Sequence, residues 1–204
     1  MKVGVVDYDA GNLTSVETAL RASGANFVVS PDPDTLASCD RLVFPGVGDA
    51  GSAMDVLRER GLDQMLRDYS GSGKLILGIC LGAQIVLDFS EESDTRCLGL
   101  IPGRAVRFPS DAGVKIPHMG WNTVDPVQPH PLFEQVEGDA SFYFVHSYYP
   151  EPEHEQSVLS RTHYAGLDFA SAIQRENIWA VQFHPEKSGR SGLAMLQSFL
   201  SVRD

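Results

Sequence analysis

Residues 76–84 read ILGICLGAQ, which sets Cys80 between Gly78 and Gly82 at the point where an apolar run stops and a helical spacing begins. This is the glycine-x-nucleophile-x-glycine elbow, with cysteine where serine is more common. Such a turn is sharp enough that the flanking residues must be nearly without side chains, which only glycine allows. Cys80 is then pushed out above a sheet edge at the first turn of a helix, where unpaired N–H groups favour negative charge on the sulfur. The alternative is a buried structural cysteine, the role expected of Cys39 and Cys97.

A thiolate that does acyl chemistry needs a base that later serves as acid, and the base needs an orienting partner. The segment WAVQFHPEKSG (179–189) offers both in His184 and Glu186. If the chain stays extended through Pro185, both side chains project from one face. The alternative is an exposed pair in a loop; the order Cys, His, Glu favours the catalytic reading. His118, His130, His146, His154 and His163 show no metal-ligand spacing and no C-x-x-C occurs, so no metal and no other cofactor is expected.

At PGVGDAG (45–51), Gly46, Gly48 and Gly51 satisfy G-x-G-x-x-G, which alone would suggest a dinucleotide site. The motif follows the third predicted strand rather than the first, Pro45 intrudes, and Asp68 precedes a strand instead of ending one. The better reading is a glycine loop whose amides near Val47 and Gly48 join the Leu81 N–H around an oxyanion. Gln84, four residues after Cys80, falls on the same helix face one turn deeper, where its amide can reach a substrate or simply sit on the helix surface.

The elements that must hold these groups follow from alternation. KVGVVD (2–7), ANFVVS (25–30), RLVFP (41–45) and KLILGI (74–79) read as buried strands. Between them lie a helix capped by Asn12 with Leu13, Val16 and Leu20 on one face, a weak helix near Asp34, and helical spacing through Met54, Leu57, Leu62 and Leu66. Repeated βα alternation means a mainly parallel twisted sheet covered on both faces, a three-layer α/β/α fold. After residue 98 short strands separated by Pro and Gly take over, at 104–107, 141–146, 157–162, 169–174 and 178–183, so a smaller antiparallel portion is expected there, followed by a helix over 191–201 and with a solvated tip at 151–156. Tyr143 and Phe144 read as core by alternation.

The 204 residues carry 27 Asp+Glu against 16 Lys+Arg, a net charge of -11, with 43% hydrophobic and 21% charged residues. That is the composition of an ordinary globular protein, and no linker divides the chain, so a single domain over 1–204 is expected. The acidic balance argues against a nucleic-acid backbone binder. No apolar run reaches the roughly 20 residues that span a bilayer, and MKVGVVDYD is not a signal peptide, so a cytoplasmic protein without membrane association is expected. Three irregularly spaced cysteines fit a reducing compartment.

Together G-I-C-L-G-A-Q, P-G-V-G and F-H-P-E-K resemble the class I (triad) glutamine amidotransferases, in the same order along the chain. Within that class D-Y-D-A-G-N-L (7–13) and P-H-M-G-W-N (117–122) resemble the glutaminase subunits of the imidazole glycerol phosphate synthases of histidine biosynthesis. The resemblance implies hydrolysis of L-glutamine to glutamate and ammonia, passed to a (β/α)8-barrel cyclase subunit in a heterodimer. It implies Cys80 as nucleophile, His184 as acid and base, Glu186 as orienter, and Val47, Gly48 and Leu81 as the oxyanion hole. Gly46, Gln84, Ser147 and Tyr148 are implied as substrate-binding, and Asn12, Met119, Trp121 and Lys187 as partner-facing. Asn12 as a mere cap and Trp121 as core filler are the alternatives. The family pattern has glycine where this chain has Asp9, a residue that tolerates a left-handed backbone. Rival readings are another triad glutaminase, a redox or stress protein built on a cysteine elbow, and a dinucleotide module.

Overall fold

The computed structural model describes residues 1–9, 11, 13–110, 113–138 and 140–202. Asn12 lies outside the described residues. Along the chain run β1 (Val3–Val6), α1 (Leu13–Ala22), β2 (Phe27–Ser30), α2 (Pro33–Ala37), β3 (Arg41–Gly46), α3 (Ala50–Glu59), α4 (Leu62–Gly71), β4 (Ile76–Cys80) and α5 (Leu81–Ile85). There follow β5 (Phe89–Ser90), β6 (Thr95–Arg96), β7 (Gly103–Arg107), β8 (His118–Thr123), β9 (Asp125–Pro126), β10 (Ser141–His146), β11 (Tyr148–Pro152), β12 (Val158–Tyr164), β13 (Leu167–Arg175), β14 (Ile178–Val181) and α6 (Gly189–Ser201).

The main sheet has the order β2-β1-β3-β4-β14-β13-β12-β9. β2, β1, β3, β4 and β14 are parallel, and β13, β12 and β9 extend the sheet antiparallel. β1, β3, β4 and β14 are buried along their whole length, as parallel strands covered on two faces must be. The pleat sends alternate residues into two cores: Leu42, Phe44, Ile76 and Ala180 meet α2, α3, α4 and α5, while Val43, Leu77, Ile79 and Val181 meet α1 and α6. Truncating Leu77 to Ala would cost about 2–5 kcal/mol through the cavity left behind. The α/β three-layer fold and its antiparallel C-terminal portion are as expected.

Several details differ from expectation. The spacing through Met54 to Leu66 is two helices, broken where Gly61 adopts φ 67. β8 and β11 carry no predicted strand; β8 pairs with β10 in a separate ribbon, and β11 joins β7, β5 and β6, so that 151–152 is strand rather than loop tip. Pairing with a distant partner, not local composition, makes these segments extended. Most consequential is β14: although late in the chain, it lies between β4 and β13, with Val181 opposite Ile79 in parallel register.

Candidate active site

β4 and β14 run side by side in the same direction, so both deliver their C-terminal ends to one edge of the sheet. β4 passes into α5 with no connecting residue, and Cys80 takes up the whole turn at φ 55, ψ −107. A non-glycine residue held there stores of order 1–3 kcal/mol of strain, tolerated only because its surroundings fix it. The glycines explain how the turn closes. A Cβ on Gly82 would lie 2.0 Å from the Phe44 carbonyl oxygen, and one on Gly78 would lie 3.0 Å from the Gly82 oxygen.

From the end of β14 the chain does not stay extended, contrary to expectation. Pro185–Lys187 form a 3₁₀ turn, and the turn itself folds Glu186 back onto His184, with Oε1 2.7 Å from Nδ1. Both side chains are buried, so the exposed-pair reading fails. Because a carboxylate can only accept, Nδ1 carries a hydrogen and Nε2 is the nitrogen left for chemistry. Burial alone would depress the His184 pKa, but the adjoining Cys80 sulfur and the Glu186 carboxylate outweigh it and lift the ring to about 10. The imidazole is thus held as a cation beside the Cys80 sulfur. Nε2 makes no completed hydrogen bond among the described residues.

Two side chains with no predicted role brace Cys80 and His184, and a third lines the cleft. Gln182 is fully buried and donates its amide to Cys80 Sγ at 3.6 Å. Ser188 Oγ donates to the His184 carbonyl at 2.6 Å and accepts from the Tyr143 N–H at 2.9 Å, pinning the 3₁₀ turn to β10. Glu92 lines the cleft beside Cys80; burial raises its pKa, and the Ala50 N–H it accepts works against that. Gln182 and Ser188 sit in the segment that carries His184, yet nothing in their types or spacing marks them. Glu92 was hidden in an acidic stretch.

The cleft over Cys80 encloses about 300 Å³ and is walled by Val47, Gly48, Leu81, Gln84, Glu92, Pro117, Val145, His146, Ser147 and Tyr148. Val47 and Gly48 of the glycine loop therefore border the cleft that holds Cys80, with Gly48 at φ 107, a conformation that suits glycine. Gly46 lies behind the wall, opposite Cys80 in the β3–β4 ladder, and a Cβ on it would meet the Tyr8 hydroxyl at 2.1 Å. Gln84 is buried in the wall rather than on the helix surface. Its amide nitrogen is committed to the Tyr148 carbonyl and to Gln182 Oε1, both at 3.0 Å.

The other cysteines contrast with Cys80. Cys39 and Cys97 are buried away from the cleft, and burial raises both pKa values, Cys97 to about 12. Trp121 does not fill the core: β8 alternates, turning His118 inward while Met119 and Trp121 stand 54% and 59% exposed. Lys187, next in sequence to Glu186, is exposed. Phe144 is core, whereas Tyr143, on the other face of β10, is half-buried with its ring 6.4 Å from that of His184. Asp9 does adopt φ 63 and pairs with Arg60 at the surface.

The profile of the "Glutamine amidotransferase class-I" family matches residues 4–202. The chain is 47% identical over 203 residues to the imidazole glycerol phosphate synthase subunit HisH of Maridesulfovibrio salexigens, covering 97% of this chain and 95% of that one. It is 45% identical over 201 residues to the protein of the same name from Synechococcus elongatus, covering 98% and 93%. Among solved structures, PurLQS from Thermotoga maritima superposes with a TM-score of 0.76 at 20% identity over 98% and 97% of the two chains, a likeness of fold. The chain belongs to the class-I glutamine amidotransferases and, within them, to the HisH subunits of imidazole glycerol phosphate synthase.

Proposed function

We infer that this chain, acting as a single domain, hydrolyses L-glutamine to glutamate and ammonia and that the ammonia passes to a cyclase subunit that makes imidazole glycerol phosphate in histidine biosynthesis. The observation that carries the chemistry is the parallel pairing of β4 with β14, which sets Cys80 beside a cationic His184 locked by Glu186. The sulfur attacks the side-chain amide carbon, and the C=O electrons move onto oxygen. His184 Nε2 gives its proton to the leaving nitrogen, so ammonia departs and a thioester remains. The now neutral imidazole takes a proton from water, the hydroxide adds to the same carbon, and collapse expels the sulfur and frees glutamate. Both additions place charge on one oxygen, so one hole formed by the Val47, Gly48 and Leu81 amides serves twice. Each donor in such a hole is typically worth about 3–4 kcal/mol of barrier.

The substrate's charged end lies along Gln84, Ser147 and Tyr148, and the Glu92 carboxylate on the same wall is matched to its ammonium. Gly46 supports the hole from behind. The exposed Met119 and Trp121 on β8, with Lys187 beside the triad, form the surface that meets the cyclase, a (β/α)8 barrel, in a heterodimer; Asn12 is assigned to the same surface from the family pattern. No helix among the described residues is long and apolar enough to cross a membrane. With a net charge of -11, the chain fits a cytoplasmic enzyme with neither nucleic-acid nor membrane partners. The decisive experiment replaces Cys80 with Ala in the complex. Glutamine-dependent synthesis should vanish while synthesis from added ammonia persists; glutamate release by the variant, or none by the wild type, overturns the reading.

A further inference from the structure

Two histidines stand at and behind the cleft wall that the triad does not use, His146 in the wall and His118 beyond it. His118, on β8, and His146, at the end of β10, are 3% and 5% exposed, and His118 Nδ1 stands 2.9 Å from His146 Nε2. His146 Nδ1 lies 2.7 Å from the Tyr148 carbonyl oxygen, and His118 Nε2 lies 3.3 Å from the Asn122 side-chain nitrogen. Aromatic rings wall the pair: Tyr164 and Phe144 stack on His118 at 3.9 and 4.7 Å, and Phe108 and Phe169 approach His146 at 5.3 and 5.2 Å. In these surroundings burial depresses both rings, to about 4 and about 3, so both are neutral near pH 7.

Two neutral imidazoles in this geometry have one consistent placement of protons. A carbonyl cannot donate, so His146 carries its hydrogen on Nδ1 and presents Nε2 as an acceptor. His118 must then donate from Nδ1 and accept on Nε2, and Asn122 donates to it while also donating to the His163 carbonyl at 3.0 Å. At the other end both lone pairs of the Tyr148 carbonyl are taken, one by His146 and one by Gln84 Nε2. The second Gln84 hydrogen goes to Gln182, whose own amide reaches Cys80 Sγ. A continuous series of donors and acceptors thus runs from the exposed β8 ribbon through the glutamine wall to the nucleophile.

We propose that His118 and His146 are positioning residues for glutamine: with a single allowed arrangement of protons, they hold the Tyr148 carbonyl and through it the Gln84 side chain in the wall of the cleft. The proposal rests on the glutaminase reading and assigns the pair no part in bond making. It makes a prediction that packing alone does not. Asn at position 146 puts an amide nitrogen where Nδ1 stood and restores the donor to Tyr148, whereas Gln places its amide near Nε2 and leaves that carbonyl without it. Gln is nearer to His in size, so a purely space-filling role would favour Gln.

The test uses the complex with the cyclase subunit. H146Q and H146F should raise KM for glutamine about tenfold, the loss of one hydrogen bond, with kcat changed far less, and H146N should stay within about threefold of wild type. Labelling of Cys80 by a diazoketone analogue of glutamine should slow in parallel, while alkylation by iodoacetamide, which has no amino-acid end to place, should not. H146Q matching or exceeding H146N, or no change in any variant, overturns the proposal. Should the variants not fold, ¹⁵N NMR of wild-type histidine side chains decides: both rings must be Nδ1–H tautomers, and an Nε2–H ring at His146 overturns it. Absence of glutamate from the wild-type complex would instead sink the glutaminase reading, whatever the tautomers.

Discussion

Two buried pairs, His184–Glu186 and His118–His146, hold their imidazoles in different charge states. His184 is 1% exposed and is lifted to about 10; His146 is 5% exposed and falls to about 3. Burial acts in the same direction on both, since it penalises a cation wherever it occurs. What differs is the company. His184 faces a sulfur and a carboxylate, whereas His146 faces another imidazole, a carbonyl oxygen and aromatic rings. Desolvation sets a cost, and a nearby negative group decides whether a proton is held against it. One pair can therefore move a proton during turnover, and the other can only hold geometry.

The contrast can be broken most severely at His184. His184→Ala should lower glutamine turnover by the complex about 10⁴-fold or more, since removal of one member disables a triad that acts as a unit. Synthesis from added ammonia should remain. Glu186→Gln keeps the shape of the turn but removes the negative partner, and glutamate release should fall about 10²–10⁴-fold. The alkaline limb of its kcat/KM profile should also move to lower pH, because His184 would release its proton more readily; an unmoved limb would show that Glu186 does not help hold that charge.

Away from both pairs, the proposed contact surface predicts that Trp121→Ala weakens binding of the cyclase partner about 30-fold, the size of effect typical of an aromatic hot spot. Its unfolding temperature should not change, because the ring is 59% exposed in the isolated chain. Titration calorimetry reads the first quantity and a melting curve the second.

The last effect is on stability against pH. His118, His130 and His146 have folded pKa values below 6.5, with burial the cause in each case. Their contribution is complete above pH 6.5 and is lost as pH falls toward about 4 and about 3, where the unfolded chain takes up protons that the folded chain refuses. His184 behaves in the opposite sense: its contribution is complete below pH 6.5 and fades as pH rises through about 10. Replacing His146 with Asn should lessen the loss of melting temperature between pH 6.5 and 4 by about 6–12 °C, the equivalent of about 3 kcal/mol. An unchanged acid limb would mean that this ring is not held neutral.

The parallel half of the fold was legible because its strands are continuous apolar runs and its helices show a repeating face, both properties of a few neighbouring residues. The β8 ribbon was not. His-Met-Gly-Trp-Asn-Thr alternates, but Gly120 weakens the pattern and its partner β10 begins well beyond it. For the same reason His118, singled out only as part of a motif, and His146, read as one of several unassigned histidines, showed no sign of touching. The spacing of His184 and Glu186 marks the pair, but a 3₁₀ turn pinned by Ser188, not an extended chain, brings the two side chains together.

By itself, the order of amino acids determined the elbow. Glycines two residues to either side of Cys80, an apolar run before it and a helical face after it leave the backbone little choice, because steric exclusion acts between near neighbours. Which histidine would face that sulfur, and which would meet another histidine in an aromatic pocket, depended on β14 lying beside β4 and on β8 pairing with β10. Proximity between distant segments, and the removal of water that comes with it, exist only in the assembled fold, and together they keep one imidazole charged and the other neutral.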